Sequence, residues 1–415
     1  MGAGVSGLVA AHALRDACDV TLLEAAPVVG GHANTVEVTP PGGAPTRVDT
    51  GFIVLNDRNY PRFEALLADL GVATQPSDMS FGVSDDHGFA YASHSLRGLF
   101  AVPRHAVSPR FLRMVLDVPR FQREARALLA GDADPSLRAW LDSLALSEDF
   151  VERVIVPQAA AVWSADPEQM WTFPARFLVR FFANHGMLGL RDRPAWRTVV
   201  GGSRTYVDAL VARLGDRVRC SSPVVEVRRD DDSVDVRVAG AEPERFDEVV
   251  LADHADDALA VLADASEAER ALLGAFPYQD NEVVLHTDTS VLPARRAAWA
   301  SWNVHLDDEP RGLASLTYDM TRLQSLPGRD RLLVTMNRTD AIDPALVLSR
   351  HRYAHPVFTR EGASAQERWA EVSGRDRVHF AGAHWRWGFH EDGVVSGERA
   401  AAAVVAALKR DAVAA

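Results

Sequence analysis

The run Leu8-Val9-Ala10-Ala11-His12-Ala13-Leu14-Arg15 is rich in small apolar residues and predicts a helix. After it, Asp19-Val20-Thr21-Leu22-Leu23 predicts a short strand closing on Glu24. Two alternating segments, Val36-Glu37-Val38-Thr39 and Thr46-Arg47-Val48-Asp49, flank Pro40-Pro41-Gly42-Gly43-Ala44-Pro45, which has the composition of a hairpin turn. A helix is expected from Arg62 to Leu70. In residues 95–129, and again in 173–182, arginines are interleaved with leucines and phenylalanines at helical spacing. A further helix passes through Tyr206, Leu210 and Leu214. Residues 220–227 and 234–238 read as strands around the polar turn Arg229-Asp230-Asp231-Asp232-Ser233, and 246–252 as a buried strand. Residues 283–337 suggest a mostly antiparallel sheet. A last strand, 378–383, ends in glycine before a helix that runs through Ala412.

At 415 residues, with 47% apolar and 24% charged composition, the chain has room for two domains. Its net charge of −13 argues against general nucleic-acid binding, which relies on surplus cations. Cys18 and Cys220 are the only cysteines, so a disulfide framework or thiolate metal cluster is excluded. With neither a signal peptide nor an apolar run of membrane-spanning length in the sequence, a reduced, cytoplasmic enzyme is expected. No repeat of fixed period is visible. Of 44 basic residues only Lys409 is lysine, which leaves none for a catalytic role in the body of the chain.

Directly after Met1 stands Gly2-Ala3-Gly4-Val5-Ser6-Gly7, a G-x-G-x-x-G loop. Such a loop lets backbone approach a pyrophosphate at a helix N-terminus: one glycine turns, one clears space, one lets the helix pack. Glu24, 22 residues past Gly2, stands where a dinucleotide fold places the acid that binds the adenosine ribose. The fold needs a buried strand before the first glycine, and only Met1 precedes it, so a start upstream of Met1 is expected. Farther on, Gly30-Gly31-His32 again suggests backbone lying against a ligand.

The order of glycine loop, Glu24, Gly30-Gly31-His32 and Asp49-Thr50-Gly51 resembles the flavin-containing amine oxidase superfamily, which includes monoamine oxidases, protoporphyrinogen oxidases and phytoene desaturases. Asp49-Thr50-Gly51-Phe52, Asn59-Tyr60-Pro61, Asp78-Met79-Ser80-Phe81, Val162-Trp163-Ser164 and Asn184-His185-Gly186 are similar to a bacterial branch of predicted NAD/FAD-binding proteins. That branch resembles the N-terminal flavin domain of plant cyclopropane fatty acid synthases. The resemblance spans essentially the whole chain. It implies an α/β (α+β overall) architecture: a Rossmann-like FAD-binding domain over 1–75, 190–280 and 370–415, and a discontinuous substrate domain of mixed sheet and helices over 76–189 and 281–369.

FAD is the implied cofactor. The implied contacts are Gly2, Gly4, Ser6, Gly7, Glu24, Gly30, Gly31, His32, Gly51 and Phe52, with the backbone around Val225 at the adenine. At the other end, Gly382 and the residues Asp392, Gly393 and Val394 close over the flavin, with a helix N-terminus aimed at its pyrimidine edge. The implied chemistry is hydride transfer from a substrate carbon to flavin, then reoxidation by dioxygen or another acceptor. Amine oxidases of the superfamily hold a water at the flavin through a lysine. Its absence here disfavours simple amine oxidation, and the resemblance then implies an apolar substrate: desaturation or related oxidation of a lipid chain, such as a methyl-branched or cyclopropane fatty-acyl group. A polyene, porphyrinogen or amine oxidase is the enzyme alternative, and a non-catalytic lipid-binding escort relative is the alternative of another class.

His185, Tyr318 and His390 are the candidate proton acceptors. The surplus of five positive charges in residues 95–129, interleaved with apolar residues, suits either a solvated helix with an ordinary core face or peripheral contact with the inner membrane surface. His351 and His355 have the spacing of one helix face, but no HExxH glutamate lies between them and Pro356 follows at once, so no metal is expected.

Overall fold

The computed structural model describes residues 1–40, 43–163, 169–189, 193–308 and 312–414. Pro41 and Gly42 of the expected hairpin turn, and Ser164 of Val162-Trp163-Ser164, lie outside them.

One half of the molecule is built on parallel strands. Val218–Arg219 pairs with Leu22–Leu23, and Val249–Leu251 pairs with Val378–Phe380. The first two residues join these pairs. The Met1 amine donates to Val250 O (2.6 Å), Ala252 N donates to Met1 O (2.9 Å), and Gly2 N donates to Leu23 O (2.9 Å). Met1 and Gly2 therefore stand where the first strand of a nucleotide fold ends, and the chain enters the glycine loop from the middle of the sheet. Helix Val5–Leu14 follows. It is buried on nearly every side because it is wedged between the sheet and the C-terminal helix His390–Ala414, so an apolar stripe alone would not have sufficed.

The other half is a seven-stranded sheet in the order Val347–Pro356, Tyr278–His286, Leu333–Met336, Ser315–Asp319, Trp302–Leu306, Phe81–Asp85, Ala90–Ala92. All neighbours are antiparallel except Trp302–Leu306 and Phe81–Asp85. Helices Pro109–Ala130 and Ala175–Asn184 pack on it, and Met114, Phe121, Leu178 and Phe182 share one apolar core with Leu285, Val304, Leu316 and Val334. Among the described residues no helix is long and apolar enough to cross a membrane.

The expected hairpin forms between Thr35–Val38 and Thr46–Asp49. Three expectations need correction. The strand placed over 220–227 begins at Val224, because Ser221 takes a left-handed φ of +50° and Pro223 follows, turning the chain after Val218–Arg219. The strand placed over 246–252 divides between Glu244–Phe246 and Val249–Leu251. His351 and His355 lie on a strand, not a helix, since Val347–Pro356 pairs along its length with Tyr278–His286. Their rings have separate partners: His351 Nε2 meets the Ser349 hydroxyl and His355 Nδ1 the Asn281 amide, each at 2.9 Å.

Candidate active site

The three glycines of the loop have three different jobs. Gly2 holds φ at +80°, and a Cβ there would lie 2.5 Å from Asp253 Oδ1. A Cβ on Gly7, inside the helix, would lie 1.8 Å from Gly2 O, so this position is one of packing. At Gly4 a Cβ would meet no atom within 4 Å and would project into open cavity. Helix Val5–Leu14 starts there with no side-chain cap and no acid in its first turn, so its leading N–H groups are free to receive an anion.

Glu24 closes the neighbouring strand. Its Oε2 accepts from Ala3 N (2.7 Å) and its Oε1 from Ala26 N (2.8 Å), which fixes the carboxylate at the cavity edge. Gly30 N donates to Ala3 O (2.8 Å), tying the second glycine pair to the first loop, and Phe52 N donates to His32 O (2.7 Å). A Cβ at Gly51 would fall 2.2 Å from that same oxygen, so the Asp49-Thr50-Gly51 turn and the His32 turn are fitted backbone to backbone. The anchor beneath them is buried Asp49, which accepts from Ser203 N (2.9 Å), Ser203 Oγ (2.8 Å) and Gln324 Nε2 (3.0 Å), as well as from Thr35 Oγ1. Burial raises its pKa to about 6 against the pull of those donors.

These elements open on one cavity of about 1600 Å³. Of the implied cofactor contacts, Gly2, Gly4, Ser6, Glu24, Gly30, Gly31, His32, Gly51, Phe52 and Gly382 line it; Gly7, Val225, Asp392, Gly393 and Val394 do not. Val225 is 43% exposed beside a bulge between Val224 and Glu226. Val394 is fully buried in the core. At Gly393 a Cβ would lie 2.5 Å from Val5 Cγ1, and at Gly397 2.4 Å from Ser6 O, so the two glycines form the seam on which the C-terminal helix crosses the first. Asp392 Oδ2 accepts from Phe389 N (3.0 Å) at the start of that helix, and burial raises its pKa to about 6. Neighbouring Glu391 accepts from Arg62 N (3.0 Å) and Phe63 N (2.9 Å), capping helix Pro61–Leu70.

The cofactor end of the cavity also holds residues that sequence reasoning passed over. His32 packs against His254 (ring centroids 5.9 Å) and His355 (5.2 Å), and His254 stacks on Tyr278 (4.4 Å). Burial lowers His32 to about 4, and His355 and His384 to about 3, so all three imidazoles are neutral at physiological pH. Asp253, raised by burial and by nearby Glu24, leaves Oδ2 without a partner, and His384 does the same with Nε2. Both line the cavity. His254 and Asp253 directly follow the buried strand, a position where a parallel fold presents its ligand contacts, and that was the available signal. In the sequence His355 stands out only through its spacing from His351.

The three candidate proton acceptors all reach the cavity. The His185 ring stacks on Phe181 (3.9 Å), and its Nδ1 lies 2.9 Å from Phe181 O. A carbonyl can only accept, so Nδ1 carries the proton and Nε2 is the basic atom; burial lowers the pKa to about 4. Tyr318 packs edge-on against Trp302 (4.9 Å), and burial raises its pKa. The His390 ring stacks on Phe52 (3.7 Å) and its Nε2 is engaged with Tyr206 OH (2.7 Å).

The donor set fits FAD. An uncapped helix start beside the open face of Gly4 suits a diphosphate, the fixed Glu24 suits a ribose, and the orphaned Asp253 Oδ2 and His384 Nε2 await polar partners. The model of the flavin-containing amine oxidoreductase family matches residues 5–350 and 340–405. No curated protein matches the chain. Among solved structures it is similar to a protein assigned as a protoporphyrinogen oxidase from an Exiguobacterium species (17% identity, 98% of each chain, TM-score 0.71). It is similar too to cyclohexylamine oxidase from Brevibacterium oxydans (20% identity, 98% of each chain, TM-score 0.65) and to a CLA-producing fatty acid isomerase from P. acnes (16% identity, 96% of each chain, TM-score 0.64). A glycine loop, a carboxylate held by the N–H groups of Ala3 and Ala26 and the first residue of the C-terminal helix meet around one cavity; with the family model matching almost the whole chain, the protein belongs to the flavin-containing amine oxidoreductase family and is an FAD-dependent oxidoreductase.

Proposed function

We propose that the enzyme oxidises a fatty-acyl or similar apolar chain, of the methyl-branched or cyclopropane kind, by hydride transfer to FAD. The observation that carries this reading is the chemistry of the cavity beyond the cofactor cradle. Residues from the seven-stranded sheet and its helices line it with Met79, Phe81, Leu99, Met114, Val115, Val118, Phe121, Ile155, Phe181, Phe182 and Phe358. Among the described residues there, Asp78 is the only carboxylate. It accepts from Ser80 N (2.8 Å) and Ser301 Oγ (3.0 Å) and feels Arg322, so it is ill placed to hold a substrate ammonium. No lysine lines the cavity. That one of the similar folds belongs to a fatty acid isomerase is consistent with an acyl chain here.

Bound FAD supplies the hydride sink. The chain supplies the rest. The aromatic and aliphatic walls exclude water and align an extended chain, and aligning it is worth more than any single polar contact in a site of this kind. His185, held in one tautomer by Phe181 O, presents a neutral Nε2 that can take the proton lost beside the departing hydride. Tyr318 offers a neutral hydroxyl.

Anaerobic addition of branched or cyclopropane fatty-acyl lipids should bleach the flavin of the purified holoenzyme. Bleaching by amines, or by a porphyrinogen, with the acyl lipids inert would transfer the assignment to those substrates.

A further inference from the structure

Among the described residues, seven large apolar side chains are strongly exposed, and four of them, Leu96, Val107, Leu112 and Leu116, fall within one short stretch. Leu112 and Leu116 stand on helix Pro109–Ala130, whose start packs on the segment of Leu96 through Phe111 and Phe100 (ring centroids 6.0 Å). Leu96 lines the cavity and is still 76% exposed, so it stands at the rim. Helix Pro109–Ala130 borders the same cavity with Val115, Val118, Pro119 and Gln122. Its inner side carries Met114 and Phe121, while Leu112, Arg113, Leu116, Arg120 and Arg123 follow one another at helical spacing on its outer face. Arg120 and Arg123 are paired to Asp117 and Glu124. Arg97 and Arg113, the two that flank the bare leucines, form no ion pair within 4 Å among the described residues, Arg113 acting on Asp117 only at longer range.

This charge distribution selects the partner. The chain carries −13 overall, yet residues 95–129 hold a sequence surplus of five positive charges, Arg110 being paired with Asp149 from outside the stretch, around apolar side chains left in water. A neutral lipid–water interface would take the leucines and leave the arginines without purpose, and a soluble acidic ligand would take only the arginines. An anionic bilayer satisfies both at once, with leucines below the headgroups and arginines among the phosphates. We infer that the face formed by Leu96, Arg97, Val107, Leu112, Arg113 and Leu116 docks on an anionic membrane surface, with the cavity mouth facing the bilayer so that an acyl chain passes directly from lipid to site. The docking surface stands on its own geometry; the direct passage rests on the acyl-chain function proposed above.

The test uses the flavin-loaded full chain in flotation with vesicles of phosphatidylcholine alone and of phosphatidylcholine with phosphatidylglycerol. Binding to the mixed vesicles, weakened by added salt, and little binding to the neutral ones is expected. Leu112→Ser with Leu116→Ser, residues that do not line the cavity, should lower partitioning about tenfold or more, at about 0.8 kcal/mol per CH₂ withdrawn from lipid. Arg97→Gln with Arg113→Gln should lower it about fivefold per charge. All variants should keep their flavin content, which reports an intact fold. Failure of the holoenzyme to bind anionic vesicles, or binding indifferent to all four substitutions, overturns docking. So does self-association through this face, seen as a dimer in sedimentation that the leucine substitutions dissolve. If detergent-dispersed acyl lipid bleaches the flavin but vesicles are not bound, docking fails and the substrate reading stands. If vesicles are bound but no acyl lipid bleaches the flavin, docking stands and the substrate reading fails.

Discussion

Replacing Gly4 by alanine should separate cofactor binding from folding. Gly4 has φ −72° and ψ −174°, ordinary extended backbone, and an added Cβ meets nothing within 4 Å. The folded apoprotein should therefore tolerate the methyl, and the smaller freedom of alanine in the unfolded chain adds about 0.4–1 kcal/mol of stability. The bound state is different. A phosphate oxygen that accepts from the uncapped N–H groups of helix Val5–Leu14 must come within about 3 Å of that backbone, and a carbon in the way needs about 3.5–4 Å. The diphosphate is displaced and loses about two charge-assisted hydrogen bonds of about 1.5–3 kcal/mol each. FAD affinity should fall by about 10²- to 10⁴-fold. Calorimetric titration of the apoprotein with FAD, with thermal unfolding of the apo form in parallel, measures both quantities. Wild-type affinity in Gly4→Ala would refute the assignment of this loop to the diphosphate. Gly7→Ala is the contrasting control: its Cβ would overlap Gly2 O at 1.8 Å, so the apoprotein itself should be destabilised.

Further outcomes follow from the same contacts. Asp49→Asn puts an amide in place of a carboxyl that is itself protonated at acid pH, so wild type and variant should be about equally stable near pH 4. Asp49 has a folded-state pKa raised to about 6 above an unfolded value of about 3.9. Its contribution to stability is therefore complete below the unfolded value and is lost as pH rises through the folded one. The wild type should lose about 2–3 kcal/mol relative to the variant between pH 4 and pH 7 in urea titrations, and a difference that stays constant counts against the raised value. Glu391→Ala removes the acceptor of Arg62 N and Phe63 N and should cost about 0.5–2 kcal/mol, read as a lower Tm. His185→Gln should slow anaerobic flavin reduction by about 10²–10⁴-fold with FAD content unchanged. In the wild type that rate should climb through an ionisation near pH 4 and stay level above it, since the lowered pKa leaves His185 neutral there. A rate unaffected by the substitution removes His185 from the chemistry.

Local sequence was sufficient wherever the physics is local. The glycine loop, the acid at Glu24 and the paired glycines at Gly30 and Gly31 are legible because each answers a backbone constraint within a few residues: a left-handed turn at Gly2, a helix that must start uncapped, a carboxylate held by the N–H groups of Ala3 and Ala26. The apolar runs within 283–337 were enough to place a sheet. What the chain could not announce was its assembly across distance. Gly393 resembles a cofactor contact, but it is needed because Val5 lies 2.5 Å from its Cβ position, from the other end of the sequence. The spacing of His351 and His355 suits a helix, and pairing with Tyr278–His286 makes a strand of it. His32, His254, His355 and His384 come from four separate segments, and nothing in any one of them predicts that the others will be near. The same holds for Leu96 and Leu116, which sequence marks only as apolar and which the fold leaves in water. Sequence by itself determined a dinucleotide loop and its neighbouring acid, because backbone geometry and glycine are written locally, and resemblance to a family supplied FAD; tertiary structure alone decided which side chains share the cavity and which apolar residues stay exposed, because burial and electrostatics depend on neighbours that the chain supplies from elsewhere.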